Sequence, residues 1–214
     1  MQRLSSFPEI LILEEQSNID INMDTASQVL RSLESMAQKE FVPSIGPIKG
    51  RIITEIIKKY NPKTVLEIGT LYGYSAILMA NILPEGGKVV TIELNKMNAN
   101  IARKNMADAG LSDKIDIAVG NALEAIPKLD LIFDLLFLDA AKDEYLKYLK
   151  LAENKNLKKG SIVVADNVEV SKNEMLDYLE YVRSCGIYKS ETIDTILEFT
   201  PNVRDAIEVS IKVS

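Results

Sequence analysis

Val65-Leu66-Glu67-Ile68-Gly69-Thr70-Leu71-Tyr72-Gly73-Tyr74-Ser75 passes from a short apolar run, through two glycines, into a helical pattern. Residues 64–68 have the length and side-chain types of a buried strand, and residues 73–83 read as a helix. Gly69 permits the tight turn off the strand, and Gly73 lets the next helix start close to a ligand. A strand, a glycine turn and a helix in this order open a parallel α/β sheet. Leu71 stands where G-x-G-x-x-G needs its second glycine, so the turn offers no pyrophosphate cradle.

Upstream, residues 24–39 carry Ala26, Val29, Leu30, Leu33, Met36 and Ala37 at helical spacing, with Asp24 or Thr25 as N-cap. Pro43 and the Gly46-Pro47 pair break that pattern, and a second helix over residues 49–60 ends at Asn61-Pro62. Downstream, strands are predicted over residues 88–93, 115–119, 134–138 and 161–165. Helices are predicted over 95–109, 143–152 and 172–184. The strand runs Val-Val-Thr-Ile, Leu-Leu-Phe-Leu and Ile-Val-Val-Ala are uninterruptedly apolar, as expected when helices cover both faces of the sheet. The tail reads as two strands, residues 193–199 and 206–212, joined at Pro201-Asn202. Five βα repeats closed by a hairpin resemble the chain order of the class I methyltransferases. The expectation is a single doubly wound, Rossmann-like α/β domain over residues 1–214, with residues 1–23 as an N-terminal extension.

Composition narrows the chemistry. The 214 residues are 47% hydrophobic and 26% charged, enough for one sizeable core. Ile10-Leu11-Ile12-Leu13 is too short for a membrane span or signal-peptide core and lacks a basic flank, so a soluble, cytoplasmic protein is expected. The single cysteine, Cys185, excludes an internal disulfide and any multi-cysteine zinc site. A net charge of −6 speaks against a phosphate-backbone partner. The chain has no histidine. Imidazole-based triads are therefore excluded, and a metal must be held by oxygen, which favours magnesium, manganese or calcium.

Ligands of open α/β sheets sit beyond the carboxyl ends of the strands. Glu93 ends one strand, where a carboxylate can accept both hydroxyls of a ribose. By itself it reads equally as a solvated strand-end acid, and nicotinamide enzymes use the same ribose logic. Asp139 ends a second strand and Asp166-Asn167 a third. Neighbouring parallel strands would bring these two carboxylates and an amide oxygen to one point, a plausible octahedral magnesium site. Lys142, three residues past Asp139, is either an exposed lysine at a helix start or a base. A nearby dication and a cofactor sulfonium would both disfavour its charged form.

From about residue 24 to 212 the chain resembles the animal catechol O-methyltransferases and their bacterial relatives, a group that includes the caffeoyl-CoA O-methyltransferases. Ile45-Gly46-Pro47-Ile48-Lys49-Gly50, Leu66-Glu67-Ile68-Gly69 and Gly73-Tyr74-Ser75 carry that resemblance in order and spacing. It implies S-adenosylmethionine as cofactor, lined by Ile45, Glu67, Gly69, Ser75, Glu93 and Ala122, with Asp139 nearby. It implies Asp139, Asp166 and Asn167 as metal ligands and Lys142 as catalytic base. Ile196-Leu197-Glu198-Phe199 resembles the segment whose glutamate contacts the unmethylated hydroxyl, which with Lys142 and Asn167 would complete the substrate contacts. Asn167 runs directly into the next helix, without the longer insertion of the caffeoyl-CoA branch.

Departures bear on the acceptor. Ala140 and Ala141 replace the His and Trp of the animal enzymes, Ser171 replaces a Pro, and Asn121 replaces an acid of many relatives. Phe41 is a candidate for another wall of the acceptor site. The resemblance implies metal-assisted methyl transfer to a catechol-like small molecule by a monomer or homodimer. Its rivals are a tRNA wobble 5-hydroxyuridine O-methyltransferase, a cofactor-binding protein without catalysis and, more distantly, a nicotinamide oxidoreductase.

Overall fold

A computed structural model describes residues 24–40, 42–200 and 202–214. The N-terminal extension, the Ile10–Leu13 run and the place of Phe41 lie outside the described residues.

Two helices precede the sheet. In α1 (Thr25–Glu40), Ala26, Leu30, Leu33 and Ala37 form the buried stripe, and Asp24 is the N-cap, accepting from the Ser27 amide at 2.7 Å. Helix α2 (Gly46–Tyr60) begins three residues earlier than its apolar pattern suggests. The Gly46-Pro47 pair starts this helix: proline fits the first turn, where its missing N–H is not needed. The helix ends at Asn61, whose left-handed backbone returns its amide to the Ile57 carbonyl.

The alternation follows as β1 (Thr64–Ile68), α3 (Tyr74–Ile82), β2 (Lys88–Glu93), α4 (Lys96–Asp108) and β3 (Ile115–Val119). It continues through the short α5 (Ala122–Ala125), β4 (Phe133–Leu138), α6 (Tyr145–Glu153), β5 (Leu157–Ala165) and α7 (Leu176–Ser184). The hairpin β6 (Tyr188–Ile196) and β7 (Arg204–Lys212) closes the chain. The seven strands are ordered β3-β2-β1-β4-β5-β7-β6. Strands β1 to β5 pair in parallel, and β7 enters antiparallel between β5 and β6. One apolar cluster packs α1, α2 and α3 on one face, and a second packs α6 and α7 on the other. This is the doubly wound sheet with a C-terminal antiparallel hairpin. Among the described residues no helix is long and apolar enough to cross a membrane.

Three further elements differ from the local sequence pattern. Strand β5 begins at Leu157 rather than 161, because its pairing with β4 shifts register between Phe133 and Leu135 around the left-handed Gly160. Helix α7 begins only at Leu176, after a single turn of tighter helix at Lys172–Glu174. Strand β6 covers Tyr188–Ile196, so Glu198 and Phe199 lie beyond it. Phe199 takes a left-handed φ of 55°, and the Leu197 amide donates to the Val203 carbonyl, so the chain turns here instead of extending.

The register decides what faces the carboxyl end. Ile68 is level with Ile92 on β2 and Leu138 on β4, and Leu138 is level with Ala165 on β5. The next residues keep this alignment, because the amides of Gly69, Asp139 and Asp166 donate to the carbonyls of Ile92, Ile68 and Leu138. Glu93, Gly69, Asp139 and Asp166 therefore form one row across four strands. At one strand spacing per step, it spans about 14 Å.

Candidate active site

A cavity of about 650 Å³ lies over this row, at the β1/β4 boundary where strand order reverses. Ile45, Gly69, Ser75, Glu93, Ala122, Asp139, Lys142, Asp166, Asn167 and Glu198 all line it, so the structure brings together ten of the twelve candidate site residues. Glu67 and Gly73 are not in the lining. At Gly73 the structure shows a packing role. With φ +88°, a Cβ there would meet Met106 and Ala102 of α4 at 3.2 and 3.4 Å, so this glycine lets α3 and α4 approach each other. Gly69 does lie at the seam: with φ +99°, a Cβ would come 2.3 Å from the Asp139 carbonyl oxygen.

On the β2–β1 side, Glu93 is held by backbone. Its Oε2 accepts from the amides of Thr70 and Leu71 at 3.2 and 2.8 Å, and its Oε1 from Asn95 at 2.8 Å. A carboxylate offers about four acceptor positions, so these three bonds leave room for one more donor while fixing the glycine turn. Glu67 sits underneath, fully buried, with Oε2 accepting from the Thr91 hydroxyl at 2.6 Å and Oε1 lacking a hydrogen-bond partner. Burial pushes its carboxyl up to about 7, against hydrogen bonds from Ser75 and Thr91 that pull it down.

The β4–β5 side is built from charges. Lys142 Nζ lies 2.9 Å from Asp139 Oδ1 and donates to the Tyr145 hydroxyl at 2.8 Å. That hydroxyl donates in turn to the Asp166 carbonyl at 3.3 Å. Asp166 is buried, and its Oδ1 is 2.7 Å from the ammonium of Lys49 without an aligned hydrogen bond. Burial first, and the charge of Asp139 second, push Asp166 upward against the pull of Lys49 and Lys142. Burial lowers Lys49, but Asp166 and Asp205 outweigh it and the net displacement is upward. The two displacements point in opposite senses for the Lys49–Asp166 contact. The second carboxylate around Lys49 resolves this: the lysine is charged, and Asp166 is the strained member. Asn167 has a left-handed φ of 64°, which asparagine tolerates. Its amide nitrogen donates to Asp205 Oδ2 at 2.9 Å, leaving the carbonyl oxygen as its free end.

The donor set suits a hard cation. The charge of Asp139 at the adjacent strand end raises the cost of ionising Asp166, a buried Asp166 oxygen lacks a hydrogen-bond donor, and Asn167 adds an amide oxygen. Among the described residues no group of three His, Cys, Asp or Glu side chains forms a metal cluster, so any ion here would rely on the amide, water and acceptor oxygens. Glu198 closes the far wall from the β6–β7 turn. Its Oε1 accepts from the Ile48 amide at 3.0 Å, at the first turn of α2, while its buried Oε2 has no partner. Burial raises this carboxyl, against the Ile48 and Lys49 amides that lower it. Gly46 makes the space, since a Cβ there would fall 2.1 Å from the Glu198 Cγ.

Four residues of this neighbourhood were not read from the sequence as functional: Lys49, Thr91, Tyr145 and Asp205. Lys49 did leave a signal. It shares the i, i+3, i+4, i+7 face of α2 with Ile52, Ile53 and Ile56, and a lysine on an apolar stripe requires a buried partner.

The fold and site define a class I methyltransferase, a doubly wound sheet with a cofactor cleft at its switch point. A sequence profile described as O-methyltransferase matches residues 19–175. Catechol O-methyltransferase B of Danio rerio is 39% identical over 179 residues, 81% of this chain and 67% of that protein. The O-methyltransferase of Bacillus cereus, solved in complex with SAH, superposes with a TM-score of 0.77 at 25% identity, over 91% of this chain and 93% of that one. TomG of Streptomyces achromogenes, an O-methyltransferase involved in tomaymycin synthesis and solved with SAM, gives 0.77 at 26% identity over 92% and 93%. The chain belongs to the O-methyltransferase family and is an S-adenosylmethionine-dependent O-methyltransferase.

Proposed function

We infer that the chain methylates one of two adjacent hydroxyls on a catechol-like small molecule, with a divalent metal ion, magnesium first, held at the β4–β5 strand ends. The observation that carries this reading is the convergence of Asp139, Asp166, Asn167 and Lys142 on one wall of the cavity whose other end holds Glu93. The kinship to catechol O-methyltransferases supports the acceptor class.

Glu93 receives a ribose hydroxyl with its remaining acceptor position, and Ile45, Gly69, Ser75 and Ala122 line the rest of the cofactor channel with Glu67 beneath. Asp139, Asp166 and Asn167 would hold the ion, which would supply Lewis-acid polarisation to the acceptor. Lys142, positioned by Asp139 and Tyr145, accepts the proton of the reacting hydroxyl at Nζ once its own ammonium has passed a proton to solvent. The resulting oxyanion attacks the sulfonium methyl: an O–C bond forms, the C–S bond breaks and S-adenosylhomocysteine leaves. Most of the acceleration comes from the alignment that the strand row imposes. Glu198 accepts a hydrogen bond from the second hydroxyl with its unpartnered Oε2. Ala140 and Ala141 give this cavity a less aromatic wall than the animal enzymes have, so acceptors bulkier than catechol should be used.

A screen with labelled S-adenosylmethionine against catechol, singly hydroxylated phenols and 5-hydroxyuridine-containing tRNA tests the reading. Label transfer to vicinal diols alone is expected. Transfer to the tRNA and to no small molecule would replace the acceptor class.

A further inference from the structure

Three carboxylates, Asp139, Asp166 and Asp205, surround two ammonium groups, Lys49 and Lys142. Asp205 has no part in the reaction described above, and it does not line the cavity. It is buried on β7, with every contact directed at the site's framework. Its Oδ2 accepts from Lys49 Nζ at 2.6 Å and from Asn167 Nδ2 at 2.9 Å, and its Oδ1 accepts from the Val170 amide at 3.1 Å.

Lys49 is consequently shared between two acids. An ammonium 2.7 Å from Asp166 Oδ1 competes with any other cation for that oxygen. A second carboxylate, Asp205, shares it at 2.6 Å. The same carboxylate fixes the amide of Asn167 with nitrogen inward, which decides that oxygen is the end on offer.

We propose that Asp205 is a positioning residue for the metal ligands: it shares the Lys49 ammonium with Asp166 and presents the carbonyl end of Asn167, so that the Lys49–Asp205 pair sets how tightly a hard divalent cation is held. This rests on the metal reading above. The two members of the pair act in opposite directions. Asp205→Asn leaves the ammonium to Asp166 alone and weakens cation binding. Lys49→Gln removes the competing cation, leaves an extra negative charge nearby and tightens it. A merely structural pair gives no such opposition, because breaking a buried pair from either side leaves an uncompensated charge and costs stability.

The test is a titration of Mn²⁺ into metal-free protein, followed by the electron paramagnetic resonance signal of the free ion, for wild type, Asp205→Asn and Lys49→Gln. S-adenosylhomocysteine is saturating throughout, and thermal melts establish that each variant is folded. Asp205→Asn is expected to lose affinity by about tenfold or more, the low end for a partner of a metal ligand. Lys49→Gln is expected to gain roughly threefold or more, by removal of a like charge. Cofactor affinity by calorimetry should stay within about twofold for both, since the ribose end is remote from the pair. Mn²⁺ binding by the wild type with both variants weakened, or neither changed, overturns this proposal alone. No Mn²⁺ binding by the wild type overturns the metal reading and this proposal with it. If Asp205→Asn does not fold, Lys49→Gln decides: a gain in affinity supports the proposal, and its absence overturns it.

Discussion

Glu93 and Asp166 stand at opposite ends of one row of strand ends, and they are balanced by different means. Glu93 is satisfied by three backbone amides that belong to the fold and leave only with it. Asp166 faces the ammonium of Lys49, and neighbouring Asp139 faces that of Lys142. Amides fix a carboxylate in place for a ligand that always docks the same way. Ion pairs between side chains can exchange one cation for another, so the charge at this end is open to rearrangement by a ligand. One sheet thus offers a rigid cofactor end and an adjustable reaction end, joined at Gly69, where β1 and β4 approach too closely for any side chain.

The largest effect is expected at the adjustable end. Lys142→Ala should lower kcat by roughly 10²–10⁴-fold, the range of a positioned base, with cofactor affinity nearly unchanged in calorimetry. Raising the pH should restore part of the rate, and a nitrocatechol, already ionised, should lose less. Near-native turnover on every accepted catechol at neutral pH would make Lys142 a bystander. At the rigid end, Glu93→Ala should weaken S-adenosylmethionine binding by about 10–10²-fold, one charge-assisted hydrogen bond at roughly 1.5–3 kcal/mol. It should also lower the melting temperature of the cofactor-free protein, because the Thr70, Leu71 and Asn95 amides lose their shared acceptor. A variant that binds cofactor as tightly as wild type would remove Glu93 from the ribose.

These expectations divide by how far the sequence discloses the two ends. The sheet is legible because its strands are short unbroken apolar runs, and Glu93, Asp139 and Asp166 each follow such a run directly. What sequence does not disclose is pairing across great separation. Lys49 and Asp205 are 156 positions apart and meet only because β7 inserts between β5 and β6. Gly46-Pro47 reads as a break because proline ends helices more visibly than it starts them, yet here it opens α2. Glu198 reads as a strand residue because Ile193 to Phe199 alternates acceptably. The left-handed turn at Phe199 that carries Glu198 to the first turn of α2 depends on contacts made elsewhere.

Glu67 sharpens the contrast through pH. Its carboxyl is displaced upward from 4.5 to about 7 by burial. A group that holds its proton more firmly when folded destabilises the fold as pH rises through that interval: the cost is absent below pH 4.5 and complete above about 7. Glu67→Gln removes this dependence, so its melting temperature should exceed that of wild type at pH 8, by at most ~3 kcal/mol of stability, and the advantage should vanish by pH 4. Parallel pH profiles for the two proteins would show that Glu67 titrates alike in the folded and unfolded chain. The smallest effect belongs to Tyr145→Phe, which removes one hydroxyl holding Lys142. A loss of about 1 kcal/mol, roughly fivefold in kcat with cofactor affinity unchanged, is expected. A loss as large as that of Lys142→Ala would make the tyrosine part of the proton transfer itself.

The contrast between a fixed end and an exchangeable one is tested most directly by following labelled methyl transfer to catechol in excess EDTA and then adding excess Mg²⁺. Transfer should fall to background in the chelator and return fully with the ion, as the proposed ligand set of Asp139, Asp166 and Asn167 requires. Undiminished transfer in EDTA would contradict the account and leave Asp139, Asp166 and Asn167 as parts of the scaffold.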